Sequence, residues 1–170
     1  NHQIDVAFIR ELGAEFARLF AGCGVTRVLT MESSGIAIAF ATAAALGDLP
    51  LVFAKKSATN TMEPGFYAAQ VRSFTHGVTS TARVARKFIA PADRVLIIDD
   101  FLASGNAVLG LKDLVDQAGA QLVGVGIAIE KGFQDGGKKL REMGIPLCSL
   151  AIIAAIENGS VLFHQDNAVK

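Results

Sequence analysis

One stretch constrains the fold more than any other: Val95-Leu-Ile-Ile-Asp-Asp-Phe-Leu-Ala-Ser-Gly-Asn-Ala-Val-Leu-Gly-Leu111. Its four leading apolar residues, Val95 to Ile98, predict a strand buried on both faces, as in a parallel sheet. Asp99 and Asp100 follow, where that strand is expected to end. After a short turn with Ser104, Gly105 and Asn106, the residues Val108, Leu111, Val115 and Ala118 keep helical spacing. Strand, acidic pair, glycine-containing loop and helix start together make a cradle for a sugar phosphate. Backbone N–H groups and the helix dipole favour an anion over Ser104, Gly105, Asn106 and Ala107. The two carboxylates can accept hydrogen bonds from a diol held above them, which makes the cradle one for ribose 5-phosphate. No Gly-Lys-Ser/Thr follows, so the loop is not a Walker A loop, and no Gly-x-Gly-x-x-Gly is present for a Rossmann fingerprint.

At 170 residues the chain has the size of one domain and can bury a sizeable core. Half of its residues are hydrophobic (51%), yet none of its apolar runs approaches the ~18 residues of a membrane span. Sixteen basic residues balance sixteen acidic ones, which removes a global electrostatic argument for nucleic acid. Cys23 and Cys148 are read as free thiols in a reducing cytoplasm. No signal peptide is evident, and His2, His76 and His164 have no metal-ligand spacing, so no protein metal site is expected.

Repeated strand-helix units predict an α/β fold: a parallel sheet with helices on both faces. Asp5 is placed to cap a helix to about Ala21, with Ile9, Leu12, Phe16, Leu19 and Phe20 on one face. Strands are predicted at Arg27 to Met31, Leu51 to Ala54, Leu122 to Ile129, Leu147 to Leu150 and Ser160 to Phe163, with Ser160 to Phe163 at an edge. Helices are predicted at Ile36 to Leu46 and Lys138 to Met143. Lys55 to Gly65 is polar and carries Pro64, which predicts a mobile loop. Phe66 to Phe74 and Val78 to Ala85 predict an antiparallel pair. Gly124 and Gly126 mark where a helix can approach its strand closely.

Strand-to-helix loops of an open parallel sheet gather at its carboxyl edge. Glu32, Ser33, Ser34 and Gly35 form such a loop, whose N–H groups could hold a second anion. Lys55 and Lys56 end the next strand, and could neutralise that anion. Lys131 and Phe133 follow the strand ending at Ile129; a cation and an aromatic there suit a purine carbonyl and ring. Each piece also has a plain reading, as helix cap, solvated lysine pair, or loop lysine beside a core phenylalanine.

These segments resemble the type I phosphoribosyltransferases. Asn1 to Asp5, Glu32 to Ile36, Val52 to Lys56, Ser73 to Thr75, Val95 to Gly105 and Ile129 to Phe133 are similar, in order, to segments of that family. The similarity is greatest to its bacterial xanthine-using branch. The resemblance implies the type I phosphoribosyltransferase fold, a central parallel sheet flanked by helices, with a small flexible hood mainly within residues 55–93. It implies transfer of the 5-phosphoribosyl group from PRPP to xanthine, giving XMP and pyrophosphate. It further implies Mg²⁺ carried by PRPP, a cytoplasmic homodimer, and no membrane or nucleic-acid partner.

By the same resemblance Asp99 and Asp100 meet the ribose hydroxyls and Ala103 to Ala107 the 5-phosphate. Glu32, Ser33, Ser34, Gly35, Lys55 and Lys56 meet pyrophosphate in a loop that often holds a non-proline cis peptide. Asn1, Lys131 and Phe133 meet the purine, and Arg72 to Thr75 belong to the hood. Residues ahead of Asn1, including an apolar base contact, are implied as well. Ala103 departs from the hypoxanthine-guanine members, which carry an acid there that can act at purine N7. No general base is thereby assigned, and xanthine entering as an anion needs less help; kcat/KM should then rise with pH through the base's own ionisation. Two alternatives stay open: a hypoxanthine/guanine or adenine enzyme on the same fold, and a PRPP-sensing regulator that binds nucleic acid without chemistry.

Overall fold

The computed structural model describes residues 3–57, 65–72 and 79–164. Asn1, and Ser73 to Thr75 of the expected hood, lie outside them. Helix α1 (Val6–Phe20) begins where Asp5 Oδ1 accepts the Phe8 N–H at 3.0 Å, a side-chain cap of the expected kind. Strand β1 (Arg27–Met31) and helix α2 (Ile36–Ala45) follow, then β2 (Leu51–Ser57), β3 (Phe66–Arg72) and β4 (Thr79–Ala85). The second half runs β5 (Arg94–Leu102), α3 (Asn106–Gln117), β6 (Gln121–Lys131), α4 (Gly136–Glu142), β7 (Leu147–Glu157) and β8 (Ser160–Phe163).

All eight strands join one sheet in the order β3-β4-β2-β1-β5-β6-β7-β8. The central run β2-β1-β5-β6-β7 is parallel, as the repeated strand-helix units predict. The sheet as a whole is mixed, because β4 pairs antiparallel with β2 and β3, and β8 with β7. Helices α1 and α2 cover one face, where Phe16, Phe20, Ile38 and Ala43 pack on Val28, Leu96 and Ile98. On the other face Val108, Leu111 and Leu114 of α3 and Leu140 of α4 pack with Leu29, Ile97 and Ile127. No helix among the described residues is long and apolar enough to cross a membrane.

Close approach governs the α1 face. A Cβ on Gly124 would lie 2.5 Å from the Phe20 ring, and one on Gly126 2.6 Å from Ile98 Cδ1 and 2.8 Å from Phe16. The two glycines therefore leave room for aromatic rings, as their place in the strand suggests. Gly13 performs the same service between helices: its Cβ would fall 2.5 Å from the Ala41 backbone, so the alanine-rich α2 packs on α1 as well as on the sheet.

Several strands run longer than the sequence expectation. β5 does not stop at Ile98; Asp99 pairs with Ile127 and Leu102 with Glu130, so both acids lie inside the strand. β2 likewise continues through Lys55 and Lys56, which pair with Arg83 and Ala82 of β4 instead of opening a loop. β7 runs seven residues beyond Leu150 because it has a partner on each side, β6 and β8. In each case an available neighbour, which local composition does not reveal, carries the ladder onward.

Candidate active site

The chain crosses from one half of the sheet to the other between β1 and β5. After β1 it passes through α2 to β2, and after β5 through α3 to β6, on opposite faces and in opposite directions. Such a switch point leaves a crevice at the carboxyl ends of the strands. Pairing of β1 with β5 ends at Leu29 and Ile97, whereas β5 stays paired with β6 as far as Leu102. Asp99 and Asp100 thus lie in the part of β5 that runs on past its pairing with β1.

Two glycine-headed helices face this region. Gly35 is the residue before α2 and Gly105 the residue before α3, and neither can supply a capping side chain. At neither helix start does the N-cap residue make a side-chain hydrogen bond, in contrast with Asp5 at α1. That arrangement suits two anions, and argues against reading Ser33 and Ser34 as a simple cap. Gly105 has φ of 82°, which glycine adopts readily.

Gly35 is buried tightly against the acidic pair. A Cβ there would lie 2.7 Å from Asp99 Oδ1 and 2.4 Å from Thr30 Oγ1. Thr30 is fully buried, and its hydroxyl has no hydrogen-bond partner among the described residues. The peptide between Glu32 and Ser33 is cis, the form that the resemblance implies for this loop. Ser33 and Ser34 are exposed, and Glu32 Oε1 accepts the Lys56 N–H at 2.5 Å. The loop after β1 is thereby tied to the strand carrying both lysines, whose side chains are exposed.

Asp99 is 6% exposed, and its Oδ1 accepts the Asp100 N–H at 3.0 Å. Burial, and next the charge of Asp100, push its acid up to about 7, although the Asp100 N–H and the charge of Lys56 pull the other way. Asp100 is half-buried. The pair therefore differs in environment: one acid is enclosed and easily protonated, the other is open to a ligand.

The third group lies across β5 and β6. Lys131 is the last residue of β6 rather than part of a following loop. Its Nζ stands 5.7 Å from the centroid of the Phe101 ring. Phe101 is half-exposed, and sequence reasoning did not single it out; the exposed aromatic directly after the acid pair was the available signal. Phe133, in the turn beyond Lys131, is also half-exposed. Among the described residues no group of three or more His, Cys, Asp or Glu side chains is arranged to hold a metal.

Comparison with known proteins places the chain in a family. The phosphoribosyl transferase domain family matches residues 9–139. A xanthine phosphoribosyltransferase of Ruminiclostridium cellulolyticum is 51% identical over 165 residues, covering 97% of this chain and 86% of that protein. A xanthine phosphoribosyltransferase of Streptococcus pneumoniae strain CGSP14 is 51% identical as well, over 97% of this chain and 85% of its own length. Among solved structures, an adenine phosphoribosyltransferase from Thermoanaerobacter pseudethanolicus superposes with a TM-score of 0.74 at 23% identity, over 87% of this chain and 81% of that one. A likeness at that identity speaks for the fold alone.

Proposed function

The chain belongs to the phosphoribosyl transferase family, and on that premise we propose that it transfers the 5-phosphoribosyl group of PRPP to xanthine, giving XMP and pyrophosphate. The observation that carries this reading is the end of the β1–β5 pairing, where an acidic pair lies between two glycine-headed helix starts. A sugar with an anion at each end, as PRPP is, matches that order of groups.

In this reading Ala103 to Ala107 hold the 5-phosphate. Glu32 to Gly35, with Lys55 and Lys56, receive the diphosphate. Asp99 and Asp100 accept hydrogen bonds from the ribose hydroxyls. A xanthine ring nitrogen attacks ribose C1 while the bond from C1 to the diphosphate oxygen breaks, and pyrophosphate leaves with that electron pair. The nitrogen's proton is lost before attack if xanthine enters as an anion, and to solvent otherwise. Positive charge grows at C1, so the protein's part is to align the reactants and stabilise the leaving diphosphate. Lys131 can only donate, which suits a purine carbonyl and disfavours the amino group of adenine. Asn1 is assigned to the base by resemblance alone, as is the hood.

Mg²⁺ would fit this arrangement as an ion arriving with the diphosphate; among the described residues no three carboxylates gather to cage it. When bound it neutralises charge on the leaving group. The same reading takes the enzyme as one domain with a hood, as cytoplasmic, and as a homodimer. Phe40 of α2, 67% exposed, is apolar surface of the kind that a subunit contact covers. Sedimentation equilibrium checks the dimer.

The test is pyrophosphate release from PRPP and Mg²⁺ with xanthine, hypoxanthine, guanine or adenine supplied separately. Release with xanthine far above the rest is expected. Release with a different base would keep the chemistry and replace the substrate. No release, with PRPP still bound, would favour the regulator.

A further inference from the structure

The mechanism above leaves the buried charge of Glu130 unused. Glu130 is 3% exposed and lies one residue before Lys131 in β6. Arg141 Nη1 donates to its Oε1 at 2.8 Å and Nη2 to its Oε2 at 2.7 Å, while the Ser149 hydroxyl donates to Oε2 at 2.6 Å. Burial pushes the Glu130 acid up, but the hydrogen bonds from Arg141 and Ser149 outweigh it and hold the group below its ordinary range. β6, α4 and β7 are bolted together at this carboxylate. A forked guanidinium fixes orientation as well as distance, which a single hydrogen bond does not.

What the bolt secures is α4, a helix of only seven residues. A helix so short has little stability of its own and takes its position from tertiary contacts. Its far end lies under the loop that follows β5. The Gly136 N–H donates to the Ala103 carbonyl at 3.1 Å. A Cβ on Gly136 would lie 2.2 Å from that oxygen and 2.7 Å from Gly105 N, and one on Gly137 would lie 1.8 Å from Glu130 Oε1. Two adjacent glycines therefore seat the helix between the carboxylate on one side and the phosphate loop on the other, with no room for a methyl group at either.

We infer that Glu130, clamped by Arg141 and Ser149, is a positioning residue for the Ala103–Ala107 loop, acting through α4 to set affinity for the 5-phosphate end of PRPP without touching it. This inference rests on the assignment of that loop to the 5-phosphate. It predicts a selective effect. Among the described residues no hydrogen bond joins the loop after β1 to α4, so pyrophosphate affinity should be indifferent to the clamp.

The experiment is calorimetric titration of the whole chain with two probes, ribose 5-phosphate and Mg²⁺-pyrophosphate. Wild type is compared with Glu130→Gln, Arg141→Lys and Asp93→Asn. Glutamine would turn an amide donor toward a guanidinium donor and break one arm of the fork. Asp93→Asn breaks a different ion pair, with Arg27 at 2.8 Å, and controls for general loosening. Displacing a binding loop by a fraction of an ångström is costly, so Kd for ribose 5-phosphate should weaken by about tenfold in Glu130→Gln and Arg141→Lys. Kd for pyrophosphate should stay within about twofold in both, and Asp93→Asn should alter neither probe selectively.

Unchanged ribose 5-phosphate affinity in folded Glu130→Gln would overturn the inference, as would equal weakening for both probes. Should Glu130→Gln fail to fold, Ser149→Ala removes one of the three hydrogen bonds, keeps the Arg141 fork and is expected to show the same selectivity at smaller size. If wild type binds no ribose 5-phosphate, the loop assignment itself falls and the inference with it.

Discussion

Gly35 and Asp99 approach so closely that a methyl group on the glycine would lie 2.7 Å from the Asp99 carboxylate. The helix start that faces the crevice and the acid inside the neighbouring strand therefore occupy one packing unit. Thr30 Oγ1, 2.4 Å from the same point, closes the third side.

Gly35→Ala should consequently damage both anion and ribose recognition. Forcing a Cβ into that space costs about 1–3 kcal/mol of stability and displaces either α2 or Asp99. KM for PRPP should rise by about tenfold or more if the displaced groups bind it as proposed. Gly22→Ala is the matched control, since no atom lies within 4 Å of a Cβ at Gly22. Equal kinetics in the two variants would remove Gly35 from the site.

Asp99 should show opposite signs in stability and activity. Its acid is raised from 3.8 to about 7, by burial first and then by the charge of Asp100. Between those values the folded protein keeps a proton that the unfolded chain has released. Stability therefore falls as pH rises through that window, and the loss is complete above about 7. At about 1.4 kcal/mol per unit, the whole effect is on the order of a few kcal/mol. Asp99→Asn should melt higher than wild type at pH 8, with the difference disappearing near pH 4, yet lose at least about tenfold in kcat/KM. Asp100→Asn should lose a similar factor in activity. Thermal melts across pH and steady-state kinetics on both variants check these outcomes; wild-type kinetics in both would end the ribose assignment.

Lys131 and Phe101 should separate base recognition from donor recognition. A hydrogen bond from a charged donor contributes about 1.5–3 kcal/mol, so Lys131→Gln should raise KM for xanthine by roughly ten- to a hundredfold. KM for PRPP should hardly move. Phe101→Leu removes the ring that the ammonium faces at 5.7 Å. A contact of that kind is worth about 0.5–1 kcal/mol at an exposed site, so a change of a few-fold is expected. An unaltered xanthine KM in Lys131→Gln would move the base elsewhere.

Gly124→Ala and Gly126→Ala should affect stability without affecting the site. Each new methyl meets a phenylalanine ring of α1, at 2.5 Å for Gly124 and 2.8 Å for Gly126. Overpacking of this sort typically costs about 1–3 kcal/mol. Tm should fall in both, while KM values at a temperature well below the melt stay near wild type.

Local chemistry was sufficient where one short signal decides. β1 spans the residues that its apolar pattern predicts, and β8 does so at the edge. Asp5 is the cap that its position before an apolar stripe suggests. β7 outruns the predicted Leu147 to Leu150, since Ala151 to Ile156 is a continuous run of small and branched apolar residues that alternates with no polar face. Only the strands on either side make it extended. Lys55 and Lys56 look like loop residues by composition, and become strand residues because β4 is there to pair with them.

Legible in the chain alone was the kind of chemistry to propose: a strand, two acids and a glycine-headed helix stand adjacent and suit a sugar phosphate through short-range geometry. Gly124 and Gly126 were legible too, because glycine inside a strand marks close approach. It took the folded chain to bring Gly35 to Asp99, to make Phe101 the ring facing Lys131, and to link Glu130 to the Ala103–Ala107 loop through α4. Those relationships join residues up to sixty-four positions apart, such as Gly35 and Asp99 (99 − 35 = 64). They depend on strand order and register, which arise from the pairing of the whole sheet and are carried by none of its segments alone.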